Sequence, residues 1–158
     1  MVSSVNIEDW IAICETKARY CRFLDTKQWS AFTELFTEDV TLDVSEAGGG
    51  PPALGRDAAI ALVRGSIETA RTAHQVHSPE IEVEGASANV LWAMQDRVVF
   101  EDGNGLVGYG HYTERYEKRD GRWRIAHLKL TRLHVDATGW TAAAGQDIPG
   151  VVGPSSGA

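Results

Sequence analysis

Basic residues, cysteines and long apolar runs are all scarce in this sequence, and each shortage removes a class of function. Lysine and arginine total 15 against 22 aspartates and glutamates, for a formal net charge of −7. A chain of that sign without a basic run does not suit a nucleic-acid groove, nor an anionic membrane surface. The two cysteines are Cys14 and Cys21. On a helix they stand two turns apart, about 10 Å along the axis, too far for a disulfide, which needs Cα atoms within about 7 Å. Free thiols fit a reducing cytoplasm, the expected location. No run approaches the ~18 apolar residues of a membrane span. The opening MVSSVNIEDW lacks the basic start and apolar core of a signal peptide. P-loop and CxxC motifs are missing, the GxGxxG string at 103–108 falls in a predicted hairpin turn and the GxSxG string at 153–157 in the predicted tail, neither between a strand and a helix, and the glycines at 48–50 lack a basic anchor. No nucleotide site is indicated and no cofactor is expected.

What remains suits one domain with one substantial core. The chain has 158 residues, 43% of them hydrophobic, and at that length folding buries roughly 68–70% of the unfolded surface. Period-3.6 patterning predicts a helix over residues 6–25, with Ile7, Ile11, Cys14, Ala18 and Cys21 on one stripe and Trp10 at its edge. Lys17 falls within the apolar arc and Tyr20 at its margin. Asp25 returns to the angle of Ile7, which aims a carboxylate along the predicted buried stripe. A second short helix is predicted over 28–37 and a third over 57–70. VTLDV (40–44) alternates as a strand, and GGGPP (48–52) is a loop. From His74 onward the period changes to two, which predicts strands over 75–84, 88–100, 105–118 and 122–135, with Asp-Gly hairpin signals between the later ones. Helices first and a meander second give an α+β layout with helices on one face of a curled sheet. Residues 1–136 form the expected domain, and the Gly/Ala/Ser/Pro-rich 137–158 an expected mobile tail.

Two carboxylates and a histidine break the apolar pattern. Asp25, on a buried stripe, must find a partner or lose its charge; the plainer alternative is that Asp25-Thr26 caps the second helix. His74, at the mouth of a strand, has a side chain suited to general-base work near neutral pH, and an aspartate beside it would fix its tautomer. A lone histidine can equally be structural. His77 faces the other side of the strand, and a His74–His77 metal pair would need a bend and further ligands, so no metal is expected. Asp96 interrupts the apolar face Val90, Trp92, Met94, Val98 and Phe100; a slip or bulge would carry it to solvent instead. Tyr109 and His111 share one face of the next strand, Tyr112 and Tyr116 the other, either as pocket donors or as ordinary cross-strand pairs. Arg132 sits with Leu128, Leu130 and His134, ready to hold a substrate anion or to pair with an acid.

The stretches ARYCRFLDTKQWSAFTELFTEDVTLDV, GRDAAIALVRG, AHQVHSPEIEV and WAMQDRVVFEDGNGLVGYGHYTERYEKRDGRWRIAHLKLTRL resemble, in that order, the SnoaL-like branch of the nuclear-transport-factor-2-like superfamily. The resemblance spans about residues 6–135 and is nearest the group of scytalone dehydratase, bile-acid 7α-dehydratase and hexachlorocyclohexane dehydrochlorinase. It implies a cone-shaped α+β barrel, with N-terminal helices packed on a curved, mostly antiparallel sheet. It also implies a site: Asp25 and His74 as a catalytic dyad, with Tyr20 and Asp96 beside them and His111 as the one candidate for a second pocket histidine; the strand faces add Trp92, Tyr112 and Arg132 as residues around the substrate. Tyr20 stands where the dehydrochlorinase has a lysine, which argues against halide elimination. The implied chemistry is a cofactor-independent dehydratase-type elimination on a hydrophobic ring compound such as a steroid, polyketide or terpenoid. Ketosteroid-isomerase-like isomerisation, polyketide cyclisation and a non-catalytic binding module stay open beside it. A homodimer or homotrimer is expected, joined through the outer sheet face near Leu91 and Val99.

Overall fold

A computed structural model describes residues 6–139. Helix α1 (Ile7–Asp25) is followed by the short α2 (Trp29–Thr33), strand β1 (Phe36–Asp43), a 3-10 turn (Ser45–Ala47), the two-residue β2 (Ala53–Leu54) and helix α3 (Arg56–Ile67). Four long strands complete the chain: β3 (Arg71–Glu84), β4 (Ser87–Val99), β5 (Gly105–Arg119) and β6 (Arg122–Thr138). They form one curled, six-stranded sheet in the order β2-β1-β6-β5-β4-β3. All neighbours pair antiparallel except β1 with β6, which run parallel. The layout is the expected α+β cone.

Local chemistry accounts for the element ends. The Asn6 side chain accepts the Glu8 amide at 3.1 Å, and Glu8 and Asp9 place negative charge in the first turn of α1, where the helix dipole favours it. Asp9 also binds Lys118 and the Trp123 indole, both at 2.9 Å, fastening that end of the helix to the β5–β6 hairpin. In that hairpin Asp120 and Gly121 both have positive φ (51° and 72°), the conformation a two-residue primed turn requires and an Asp-Gly pair supplies. The second helix is shorter than its pattern suggested, because β1 already begins at Phe36.

The buried face of α1 differs from the predicted one. Ile13, Thr16, Lys17, Tyr20 and Leu24 point inward, whereas Ile7 is 64% and Ile11 48% exposed. The helix is rotated by about a third of a turn from the hydropathy stripe. Its inward face packs on Phe32, Phe36, Tyr112, Tyr116, Ile125 and Leu128 in the main core.

Strand β3 starts at Arg71, so His74 lies inside the strand and not at its mouth. Strand β6 runs to Thr138, past the expected domain edge at 136. The rest of the expected tail, from 140 onward, lies outside the described residues. One helix-length consequence is plain: among the described residues no helix is long and apolar enough to cross a membrane.

Candidate active site

Asp25 and His74 are in contact. Asp25 Oδ1 lies 2.7 Å from His74 Nδ1, and Asp25 Oδ2 accepts the His74 backbone amide at 2.8 Å. The Thr72 hydroxyl donates to Asp25 Oδ1 at 2.9 Å, and Lys27 Nζ donates to Thr72 Oγ1 at 3.0 Å. The pair therefore has its own supporting shell. Asp25 takes no part in capping α2, whose first cap is Gln28. Partial burial pushes the Asp25 carboxyl up, but the hydrogen bonds from the His74 ring and amide, the His74 charge and the Thr72 hydroxyl together outweigh it, and the carboxyl settles below its usual value. A carboxylate on Nδ1 makes that nitrogen the protonated one and leaves Nε2 as the free basic atom.

His74 borders a cavity of about 330 Å³. The cavity wall is mostly apolar: Leu42, Leu62, Val63, Ile67, Leu106 and Leu128 are among its members. Its polar members include Tyr20, His74, Asp96, Tyr112 and Arg132, from α1 and the long strands, and Ser66 from α3. His74 and Asp96 are direct cross-strand partners. Asp96 is buried and its Oδ2 is held by Arg132 Nη2.

That ion pair spans β5, from β4 to β6, and two glycines make room for it. Gly108 pairs with Asp96, and Gly110 with Arg132. A Cβ on Gly108 would fall 2.2 Å from Asp96 Oδ1 and 2.5 Å from Arg132 Nε; on Gly110 it would fall 1.9 Å from the Thr131 carbonyl oxygen. No side chain can stand at either place without displacing the pair or the neighbouring strand. A register shift between Tyr109 and Gly110, opposite His134 and Arg132, leaves Leu133 as a bulged residue. The bulge reverses the alternation of β6. Arg132 stays inside with Leu130 and Leu128, while His134 moves to the outer face, stacked on Tyr109 and bonded to Asp136 at 2.8 Å.

Burial is the leading reason that the Tyr20 and Tyr112 hydroxyls sit well above the usual tyrosine range. The Glu114 charge adds to the effect at Tyr20, and Tyr20 itself adds to it at Tyr112. Both therefore keep their protons and face the cavity as neutral donors. Among the described residues no group of three His, Cys, Asp or Glu side chains is gathered to hold a metal ion.

A family model described as a SnoaL-like domain matches residues 5–129. The chain belongs to the SnoaL-like family. Among curated proteins, the probable cyclase FGR4 of Gibberella zeae is 25% identical over 144 residues, 83% of this chain and 95% of that protein. A candidate scytalone dehydratase from Novosphingobium aromaticivorans superposes with a TM-score of 0.77 at 23% identity, covering 90% of this chain and 97% of the other. The hexachlorocyclohexane dehydrochlorinase LinA-type3 of Novosphingobium barchaimii LL02 gives 0.73 at 19% identity, covering 90% and 96%. At those identities the two structures speak for the cone itself.

Within this SnoaL-like domain, six of the eight residues expected at the site meet there. Asp25 stands behind His74, and Tyr20, Asp96, Tyr112 and Arg132 line the cavity with His74. Two do not. Trp92 is on the inner face but further down the cone, where its indole donates to Glu114 Oε2 at 3.0 Å; the cavity reaches only the end of β4 that carries Asp96 and Val98. His111 has the parity of Tyr109 and lies on the outer face, between Ala93 and Thr131. Sequence reasoning missed Thr72, the two glycines of β5, and the α3 wall of Leu62, Val63, Ser66 and Ile67. Thr72 was within reach, since it shares the strand parity of His74.

Proposed function

We propose that this SnoaL-like domain is a cofactor-independent lyase that removes water from a hydrophobic, oxygenated ring compound. The observation that carries the reading is the His74 ring, fixed through Nδ1 by Asp25 with Nε2 left for the cavity. Nε2 takes a proton from carbon beside a carbonyl or similar activating group, and Asp25 stabilises the imidazolium that results. The carbon–oxygen bond at the neighbouring position breaks as the double bond forms, and the imidazolium returns the proton to the departing hydroxyl, releasing water. Tyr20 and Tyr112 donate hydrogen bonds to the enolate oxygen. Asp96, already paired with Arg132, serves as the anchor of that arginine and not as the acid. The apolar wall supports a steroid-, polyketide- or terpenoid-like substrate. The kinship with a dehydratase-like and a dehydrochlorinase structure and a cyclase relative supports a small-molecule-converting enzyme in general.

A panel of cyclic hydroxy-ketones, followed by mass spectrometry for loss of water, tests the proposal. His74→Ala and Asp25→Asn should each lower turnover by about 10²–10⁴-fold. Unchanged turnover in both variants would sink it. The cyclase relative favours a second reading, isomerisation or cyclisation by the same base, in which product and substrate have equal mass. A binding module without catalysis would hold such compounds unchanged. The same proposal puts the protein in the cytoplasm as a homodimer or homotrimer, a reading supported by its two free thiols and by the exposed apolar side chains of Tyr109 and Leu133.

A further inference from the structure

Beneath the tyrosine side of the cavity lies a charged group that the proposed chemistry does not use. Lys17 and Glu114 are both buried, with Nζ 2.5 Å from Oε1. The other carboxylate oxygen of Glu114 accepts the Trp92 indole at 3.0 Å and the Tyr116 hydroxyl at 2.6 Å. Lys17 Nζ also lies 3.9 Å from the centre of the Tyr20 ring and 3.6 Å from that of Tyr112. The ion pair is thus an oriented dipole. Its positive end touches the two tyrosines that line the cavity, and its negative end is capped by Trp92 and Tyr116, which do not line it. Desolvating two charges is costly, and an apolar pair of similar volume commonly serves stability as well or better. Core packing alone therefore does not account for this arrangement.

We infer that Lys17, held by Glu114, is a positioning residue for the two cavity tyrosines, and that it tunes this wall to receive negative charge on a ligand oxygen. A cation against an aromatic face draws on the π-electrons of the ring. That polarises each phenol toward the ammonium and strengthens its O–H as a donor, against the opposing charge of Glu114 on the far side of the pair, while the two contacts fix both ring planes. The cavity then favours an enolate- or phenolate-like oxygen over a neutral one. The inference deepens the proposed function by naming the charge the site prefers, and rests on that reading only in taking the cavity as the binding site.

The test is a binding experiment that needs no turnover. A series of substituted 2-naphthols of graded acidity is titrated by fluorescence against the wild-type protein and against Lys17→Met/Glu114→Gln, a variant that removes both charges together. Wild type should bind the more acidic naphthols more tightly and shift their emission toward the naphtholate. The variant should lose about tenfold at the acidic end of the series and less than about twofold at the other. A series flat in the wild type, or a variant whose losses are equal along the series, overturns the inference, since a purely structural role moves all naphthols alike. If that variant does not fold, Lys17→Gln/Glu114→Gln, which keeps a hydrogen bond where the ion pair stood, is judged by the same slope. Lys17→Arg, which keeps the cation, should restore the slope. Failure of the lyase assay leaves the naphthol series untouched, so the two proposals fail separately.

Discussion

A single carboxylate holds His74 at two points, the ring and the main chain, so the base is fixed in orientation as well as in tautomer. This coupling has a pH signature. The Asp25 carboxyl is depressed in the folded protein. Its contribution to stability is therefore present above the unfolded aspartate value, about 3.9, and is lost as the pH falls through the lower folded value. The gap in urea midpoint between wild type and Asp25→Asn should shrink as the pH drops below about 4; a gap constant from pH 6 to 3 contradicts the coupling. Gly108 offers a second residue-scale test. Gly108→Ala must part Asp96 from Arg132, and the overpacking should cost about 1–3 kcal/mol in urea unfolding. No loss there would mean the pair can shift aside freely.

Helix α1 shows what an element hides from hydropathy. Its inward face carries Thr16 and Lys17, whose partners, the Trp123 carbonyl and Glu114, stand about a hundred residues away. A pattern that counts apolar letters cannot see those partners and so chose the Ile7–Ile11 side. Asp25 was singled out from that misplaced stripe, yet it still reaches β3 from the margin of the true one. Alanine scanning separates the two faces: Leu24→Ala should cost about 2–5 kcal/mol, and Ile11→Ala no more than about 0.5, by chemical denaturation. Equal costs would restore the hydropathy face. Strand parity was far more legible. It set Asp96 on the apolar face of β4 and Tyr112 on the face opposite His111, and both assignments hold because β4 and its pairing with β5 keep strict alternation. It failed at His134, where the Leu133 bulge breaks the count, and no single residue announces that bulge. His111 stood on one of two faces that parity left open, and that face is the outer one; Trp92 has the inner parity but sits below the cavity, a depth that alternation does not encode.

Among the described residues, the helices and the cavity lie on one side of the sheet and the other side is left to the strands. The cone and its order of helices and hairpins were readable from changes of period and from Asp-Gly turns. A pocket was expected, but its α3 and Gly48–Gly49 wall was not, since the lining comes from α1, β1, α3 and four further strands that meet only on folding. Tyr109 and Leu133 are exposed, and apolar surface of that kind favours self-association. Sedimentation velocity should therefore show a dimer or trimer; a monomer at micromolar concentration refutes that expectation.

The division of labour in the cavity wall has a further consequence. His74, Asp96 and Arg132 stand on strands of one hydrogen-bonded sheet, braced across two glycines, whereas Leu62, Val63 and Ile67 come from α3, and Gly48 and Gly49 from the turn beyond β1. The reactive side is rigidly cross-linked and the opposite side is not part of that lattice. Exchanges along α3 can therefore reshape the space offered to a ring while the proton-handling groups keep their spacing. A lineage that inherits such a cone is free to change what it accepts long before it must change how it reacts.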